Sequence, residues 1–495
     1  MYGVAFLVSN AYLCRQNRSG EGDACVPYII YNQMVKRSEL LLEKIRMGKQ
    51  MTTREKLDLI VELSVPSMLA QITVVLMFFI DAAMVGHLGA AASASIGLVE
   101  STLWLMGSIL SAASTGFSVQ VAHFVGANDF SQARNVFRHA LVCGLAVSVV
   151  LAGVGMAVSP GLPYWLGGGA DIAADASAYF RVFSLALPFL LLFHLSAAML
   201  KSSGDMRVPS AMSISMCVLD VAFNYLFIYL LDMGVVGAAI GSACAYLITS
   251  LAMTWIAACR NRILSLRQDG VPFRWVWDYV HHALRISLPI AVQSVLMSGA
   301  QVVSTLIVAP LGNVAIAANS FAITAESLCY MPGYGIGDAA STLVGQTYGA
   351  QRGDLCRSFA HMTVGLGMAV MALMGVLMYV FAPEMIGLLS PVAEIRQLGA
   401  EVLRIEAFAE PFFAASIVTY SVCVGAGDTL RPAIMNLASM WCVRLTTAAL
   451  LAPHYGLKGV WVAMAVELTL RGSVFLIRLW RGKWMQLKVE RPFYL

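Results

Sequence analysis

The sequence predicts an all-α membrane protein, with twelve transmembrane helices in two parallel six-helix repeats that form two lobes around a central cleft. Three observations predict it, and the first is self-similarity. Displaced by 223 residues, the chain brings its rare residues into register: Pro66 meets Pro289, Pro188 meets Pro411 and Pro209 meets Pro432. At the same offset Gly89, Gly126, Arg181, Gly204 and Asp205 meet Gly312, Gly349, Arg404, Gly427 and Asp428. After one residue is dropped the offset is 222, and Gly234, Gly237 and Ala243 meet Gly456, Gly459 and Ala465. With 16 prolines in 495 residues, three proline matches at one ungapped offset are expected well under once by chance, so the chain reads as a duplicated unit. The second observation is composition: 12% of residues are charged and 59% hydrophobic, against roughly 25% charged in a soluble domain. The third is where the Lys and Arg residues fall.

Apolar stretches close to the roughly 20 residues that a spanning helix needs recur in order. In the first copy they lie near 60–85, 93–121, 138–158, 178–200, 209–231 and 235–258. In the second they lie near 284–309, 316–345, 359–382, 401–424, 432–452 and 457–480. Six is even, so both copies enter from the same side and are parallel repeats about an axis along the membrane normal. One set of connections carries Arg134, Arg138, Lys201, Arg207, Arg260, Arg262, Arg267, Arg274, Arg285, Arg352, Arg357 and Arg431; the other carries Arg396 and Lys458. Cytoplasmic loops hold the excess of Lys and Arg, which predicts both termini in the cytoplasm of a plasma (inner) membrane. The chain then divides into a tail 1–56, a first lobe 57–258, a linker 259–283, a second lobe 284–480 and a tail 481–495. The net charge of +4 follows from this topology and calls for no nucleic-acid partner.

The start of the chain fits the repeat poorly. The apolar run 2–9 is too short for a span and lacks the basic stretch of a signal peptide, and Met34, Met47 and Met51 each precede a charged, helix-prone stretch where translation is equally well begun. Ten scattered cysteines, with no Cys-x-x-Cys pair, read as small buried hydrophobes. Gly335, Gly337 and Ala340 mimic a dinucleotide fingerprint but lie inside a span, not after a strand; glycine there serves close helix contact or a bend. Asp171 and Asp175 sit in a solvated outer connection, where metal ligation is not expected.

Carboxylates inside spans are functional-site candidates by default, because each costs at least a few kcal/mol at the bilayer centre. Six stand out: Asp81, Glu100, Asp220, Glu326, Glu410 and Glu467. Asp220 and Asn224 are four apart and share a helix face, and Ser242 opens span 6. If spans 1, 5 and 6 converge, Asp81, Asp220, Asn224 and Ser242 bring oxygens together in a set that suits a sodium ion or a shared proton. The plain alternatives are a polar pair tying two helices for Asp220 and Asn224, and an interfacial helix cap for Asp81. Glu326, Glu410 and Glu467 share their half with Arg404, Arg444 and Arg471, which could neutralise them. Ser304 stands at the repeat position of Asp81, so the two halves are expected to be unequal in coupling.

These residues resemble a known family. The run 66–89, ending Phe-Ile-Asp-Ala-Ala-Met-Val-Gly-His-Leu-Gly, has a half-copy ending Val-Ala-Pro-Leu-Gly at Gly312. Together with the loop Val-Gly-Gln-Thr-Tyr-Gly-Ala at 344–350, the Gly-Asp turns at Gly204 and Gly427, and Arg-Gly-Lys-Trp at 481–484, these features resemble multidrug and toxic compound extrusion transporters, the MATE family, over about 55–485. The resemblance implies a two-lobe exporter of small cationic or amphipathic xenobiotics in exchange for sodium ions or protons, with no other cofactor, taken here as a monomer in the bilayer. The family's first-helix aspartate matches Asp81 and its helix-6 hydroxyl matches Ser242. Its helix-5 pair runs Asn then Asp, whereas this chain has Asp220 and then Asn224. The NorM-like branch carries a helix-7 Glu and a helix-10 Asp where this chain has Met297 and Phe413. The expected placement is therefore nearer the DinF-like side, with coupling in the first lobe and Glu410 as a compensating acid in the second.

Other readings are disfavoured. A flippase for lipid-linked oligosaccharide, of the same superfamily, is the alternative, but pyrophosphate cargo calls for a cleft lined with Lys and Arg. A major-facilitator transporter would carry a basic Gly-Asp-Arg motif after span 2, where this chain has Gly126-Ala-Asn-Asp-Phe-Ser-Gln-Ala-Arg134. An enzyme would gather nucleophile, base or metal ligands at one depth; the chain has no His-Glu-x-x-His and no Gly-x-Ser-x-Gly.

Overall fold

A computed structural model describes residues 37–268 and 273–485. The apolar run 2–9, Cys14, Cys25, Met34 and the end of the basic tail lie outside the described residues. The first six-helix unit runs α1 Thr53–Gly86, α2 Ala90–Gly126, α3 Phe130–Val158, α4 Ala170–Ser203, α5 Arg207–Asn224 with a π-helical continuation Tyr225–Leu230, and α6 Gly234–Trp255. The second runs α7 Trp277–Val308, α8 Asn313–Gly349, α9 Gly353–Leu389 and α10 in two pieces, Ala393–Ala407 and Glu410–Gly425. It closes with a long stretch beginning at Leu430, in which Leu445–Arg481 is broken at Gly456 (φ 59°, ψ −142°); α11 precedes that break and α12 follows it. Among the described residues, ten helices are each long and apolar enough to cross a bilayer, and the two pieces of α10 qualify together. With the break at Gly456 counted, the described residues hold the twelve expected helices.

The duplication is written into the backbone. Left-handed residues recur at Gly89 and Gly312, at Asn128 and Gln351, and at Gly204 and Gly427, all 223 apart, and at Gly234 and Gly456, 222 apart. The matched glycines mark turns that L side chains enter with strain. The first helix of each repeat packs on the second helix of the other, α1 on α8 and α7 on α2. Where α2 and α8 cross, a Cβ at Gly126 would fall on the Gln346 carbonyl oxygen and one at Gly349 on that of His123. His123 Nε2 meets Gly425 O at 2.8 Å, and Gln346 Nε2 donates to Ser202 O at 2.9 Å. His123 and Gln346 are themselves 223 apart, as are Ser202 and Gly425, so the pseudo-two-fold axis passes through this crossing.

Three expectations need correction. The stretch 344–349 is the last turn and a half of α8, not a loop; its glycines are tolerated because a neighbouring backbone fills the space a side chain would take. Span 10 is not one straight helix: its two pieces meet at 60°, with Pro411 in the first turn of the second piece, where its missing N–H costs nothing. The matching Pro188 sits inside an unbroken α4. The helices also extend beyond the apolar stretches, as in α1, which starts at Thr53 with a reciprocal cap between Thr52 and Glu55 (3.3 and 3.0 Å). Gly335 and Gly337 lie within α8, and Cβ atoms there would meet Met68 and Ser421 at 2.5 and 2.6 Å, in keeping with close helix contact. The eight described cysteines are free.

Polar contacts between the lobes gather at the end that bears the Arg-rich turns. Asp338 of α8 takes Lys201 Nζ from the end of α4 at 2.7 Å, Ser67 Oγ at 2.7 Å and Gln71 Nε2 at 3.3 Å, both of the latter from α1. Thr342 Oγ1 donates to Lys201 O at 3.1 Å. The lobes therefore meet tightly at one end of the molecule.

Candidate functional site

The structure brings the first-lobe candidates together. Asp220 and Asn224 lie one turn apart on the inner face of α5, both buried, and the helix widens into its π-helical turn immediately afterwards. Asn224 Nδ2 donates to Asp220 Oδ2 at 3.0 Å along the helix and to Asp81 Oδ1 on α1 at 3.0 Å across it. Asp220 also lies beside Asp81 and Ser242. The α6 backbone approaches at Gly241, where a Cβ would fall on Asn224 Oδ1; glycine is what lets α6 close over the pair. Two acceptors in this cluster, Asp220 Oδ1 and Asn224 Oδ1, are buried with no hydrogen-bond partner. Tyr179 of α4 and Tyr246 of α6 stand within electrostatic reach of both carboxyls. Neither tyrosine was singled out from sequence; Tyr246, four residues after Ser242, was legible by helical spacing, and nothing in the sequence marked Tyr179.

The arrangement is an oxygen pocket: two carboxyls, one amide and one hydroxyl from α1, α5 and α6. Among the described residues no three His, Cys, Asp or Glu side chains gather in metal-binding geometry. A sodium ion would therefore draw on the Asn224 and Ser242 oxygens as well as the two carboxyls. A proton needs only one carboxyl oxygen and an acceptor facing it.

The remaining acids fall into three environments. Glu100 is exposed on α2 and accepts from Trp104 Nε1 at 3.4 Å. Glu467 is buried, and its Oε1 has Arg471 Nε at 3.2 Å and Ser439 Oγ at 2.5 Å, so the neutralising role expected of Arg471 applies there, while its Oε2 has no hydrogen-bond partner. Glu326 on α8 and Glu410 on α10 form a second buried acid group, and it includes Glu406, which sequence reasoning missed although it lies one turn before Glu410 inside the same expected span. Neither oxygen of Glu406 or Glu410 has a hydrogen-bond partner. Arg444 is near Glu326 and Glu406, whereas Arg404 turns away to Tyr379 O at 3.1 Å. At the two positions where the NorM-like branch carries acids, Met297 packs in an apolar cluster with Ala300 and Met440, and Phe413 meets the Tyr330 ring edge-on beneath the Arg471 guanidinium.

Two six-helix units joined about a pseudo-two-fold axis, with unpaired carboxyls buried among apolar spanning helices, define a multi-pass membrane protein of the transporter class. The MatE family profile matches residues 66–226 and again 289–450, once in each repeat. The chain belongs to the MATE family of membrane transporters. It is 24% identical over 440 residues to the probable multidrug resistance protein NorM of Thermotoga maritima, covering 86% of this chain and 92% of that one. It is 26% identical over 437 residues to the multidrug resistance protein NorM of Burkholderia vietnamiensis, covering 85% and 92%. In fold it matches a multidrug resistance MATE transporter of the MOP superfamily in an outward-facing conformation, with a TM-score of 0.82 at 21% identity over 87% of this chain and 97% of that one. It also matches a MOP superfamily transporter from Pyrococcus furiosus, with a TM-score of 0.81 at 20% identity over 87% and 96%.

Proposed function

We propose that this chain is a secondary active multidrug exporter. It releases an organic cation or similar amphipathic molecule to the outside in exchange for a proton or sodium ion, and it works as a monomer in the plasma membrane with both termini cytoplasmic. The observation that carries the reading is the first-lobe pocket, where Asp220 Oδ1 and Asn224 Oδ1 are buried without partners beside a second carboxyl. A buried acceptor that lacks a donor costs about 1–3 kcal/mol, more when charged, and a small monovalent cation relieves that cost. Coupling follows if the cation binds this pocket more tightly in one conformation than the other, because a ligand shifts an equilibrium only by its differential affinity. The exchanged order of Asp220 and Asn224 favours the proton, since a displaced carboxylate spoils a sodium cage sooner than it stops titrating.

The relatives named above are NorM proteins and lend no support to a DinF-like placement; what supports first-lobe coupling is the pocket itself. The lipid-linked oligosaccharide flippase is disfavoured because the polar cluster is acidic, whereas pyrophosphate is held by Arg and Lys.

The test is efflux from proteoliposomes under an imposed pH gradient or an imposed sodium gradient, each with the other ion held equal across the membrane. Export driven by one gradient and abolished by Asp81→Asn is the expected result. Export that responds to neither, with wild type and Asp81→Asn alike, overturns the antiporter reading.

A further inference from the structure

A helix at 37–46 precedes α1 and lies across the Arg-rich end of the molecule, against both lobes. It is amphipathic. Leu41, Leu42 and Ile45 are buried while Arg37, Glu39 and Leu40 face outward. The buried face joins one apolar cluster with Leu59 and Leu63 of α1 on one side and with Leu343 of α8 and Phe359 of α9 on the other.

Polar contacts repeat this two-sided grip. Toward the first lobe, Lys44 Nζ meets Glu55 Oε1 at 2.5 Å, Arg37 pairs with Asp58, and the Arg46 guanidinium lies over the Phe130 ring at 5.5 Å. Toward the second, Arg352 in the α8–α9 turn donates from Nη1 to Lys44 O at 3.3 Å and to Lys49 O at 2.6 Å. Leu42 occupies the space over Gly204 that a side chain there would take. Gly204 lies two residues after Ser202, whose carbonyl receives Gln346 of the other lobe, so the helix covers the line along which the two lobes meet.

Connectivity decides what moves. Residues 47–52 lead straight into α1, so the helix stays with the first lobe. Its contacts with Leu343, Phe359 and Arg352 are the ones lost if the lobes part at this end. We infer that helix 37–46 is a strap that holds the Arg-rich end of the cleft shut, and that its undocking from α8 and α9 is a step in opening that end. The contacts stand on their own; calling that end cytoplasmic rests on the orientation proposed above.

The test uses the full chain carrying Ser202→Cys, a nearly isosteric and buried reporter on the seam. It is labelled with a membrane-impermeant maleimide in inside-out vesicles, and the parent chain supplies the background from native cysteines. Two variants loosen the strap: Ile45→Glu places a charge in a fully buried position, and Arg352→Gln removes the carbonyl clamp without touching the interior. Amide deuterium exchange over 37–46 reports undocking. The expected result is faster exchange there, together with labelling of Cys at position 202 at least tenfold faster, in both variants. Faster exchange with unchanged labelling overturns the proposal, as does exchange that stays slow in both variants. Faster labelling of the variants only in right-side-out vesicles keeps the strap and overturns the orientation.

Discussion

Asn224→Leu is the most informative single change, because one side chain holds both carboxyls of the first-lobe pocket and leucine keeps its approximate volume. The amide donates to Asp81 and Asp220 at 3.0 Å each. If the pair carries one negative charge, one of those bonds goes to a charged group, at about 1.5–3 kcal/mol, and the other to a neutral one, at about 0.5–1.5 kcal/mol. On protonation both bonds remain as neutral ones, so only the charge-assisted excess of one of them, about 1–1.5 kcal/mol, bears on ion affinity, or about tenfold in an equilibrium at roughly 1.4 kcal/mol per tenfold. Fold stability should change less, since the substitution also removes the partnerless Asn224 Oδ1. The sign of the transport effect separates the two coupling ions. With the proton as driver, losing a donor to the charged form makes the site hold its proton harder, so half-maximal drive is reached at about a tenfold lower proton concentration and release becomes limiting. With sodium as driver, the site loses an oxygen ligand, and half-saturating sodium rises by about as much. The assay is proteoliposome efflux titrated with each ion separately. If the half-saturation for both ions stays within threefold of wild type, the pocket is not where coupling occurs.

The remaining predictions are simpler. Asp81→Asn should abolish gradient-driven efflux while leaving insertion and folding intact, and Glu410→Gln should retain most of it; the reverse outcome, read in the same vesicles, would move coupling to the second lobe. Gly126→Ala and Gly349→Ala should each destabilise the protein by about 1–3 kcal/mol through forced separation of α2 and α8, seen as similar falls in melting temperature, and a large effect from one with none from the other would break the symmetry argument. Reporter fusions at both ends and in the 259–283 linker should all give cytoplasmic signals, and one external signal would mean that the span count is wrong by an odd number.

Much of the fold was legible because duplication leaves its trace at residues that packing cannot replace. The matched glycines mark left-handed turns, and Gly126 and Gly349 mark a place where backbones of the two repeats touch at equivalent positions. What stayed hidden depended on partners from the other repeat. Nothing near 344–350 tells that its glycines are backed by α2, so the stretch reads as a loop. Pro188 and Pro411 occupy equivalent positions, yet only Pro411 lies at a break; a proline permits a bend, and the packing of each lobe decides whether it occurs. The first-lobe site was legible from the four-residue spacing of Asp220 and Asn224 on one helix face. Glu406 was missed although the same spacing links it to Glu410. Helix 37–46 was legible only as a charged, helix-prone stretch, because its role depends on two lobes meeting beneath it.

The two acid groups are not copies of one another. Carried across by the repeat offsets, Asp81, Asp220, Asn224 and Ser242 fall on Ser304, Val443, Thr447 and Met464, while Glu326, Glu406 and Glu410 fall on Leu103, Phe183 and Leu187. Those last three pack together in the apolar core of the first lobe. Each lobe thus fills with core or small side chains the positions at which the other carries charge. The α2–α8 crossing and the glycine turns are held in common because both lobes must close against each other along one seam, and that demand is symmetric. A buried carboxyl answers no such demand and costs several kcal/mol wherever it is kept, so it persists only where it binds something. A chain that retains acids at non-equivalent places in its two halves therefore has two chemically distinct pockets. The first joins three helices around an amide that binds both of its carboxyls, and the second gathers three glutamates on α8 and the bent α10 beside Arg444. The pockets need not load together, and substitutions in one lobe cannot be read as tests of the other.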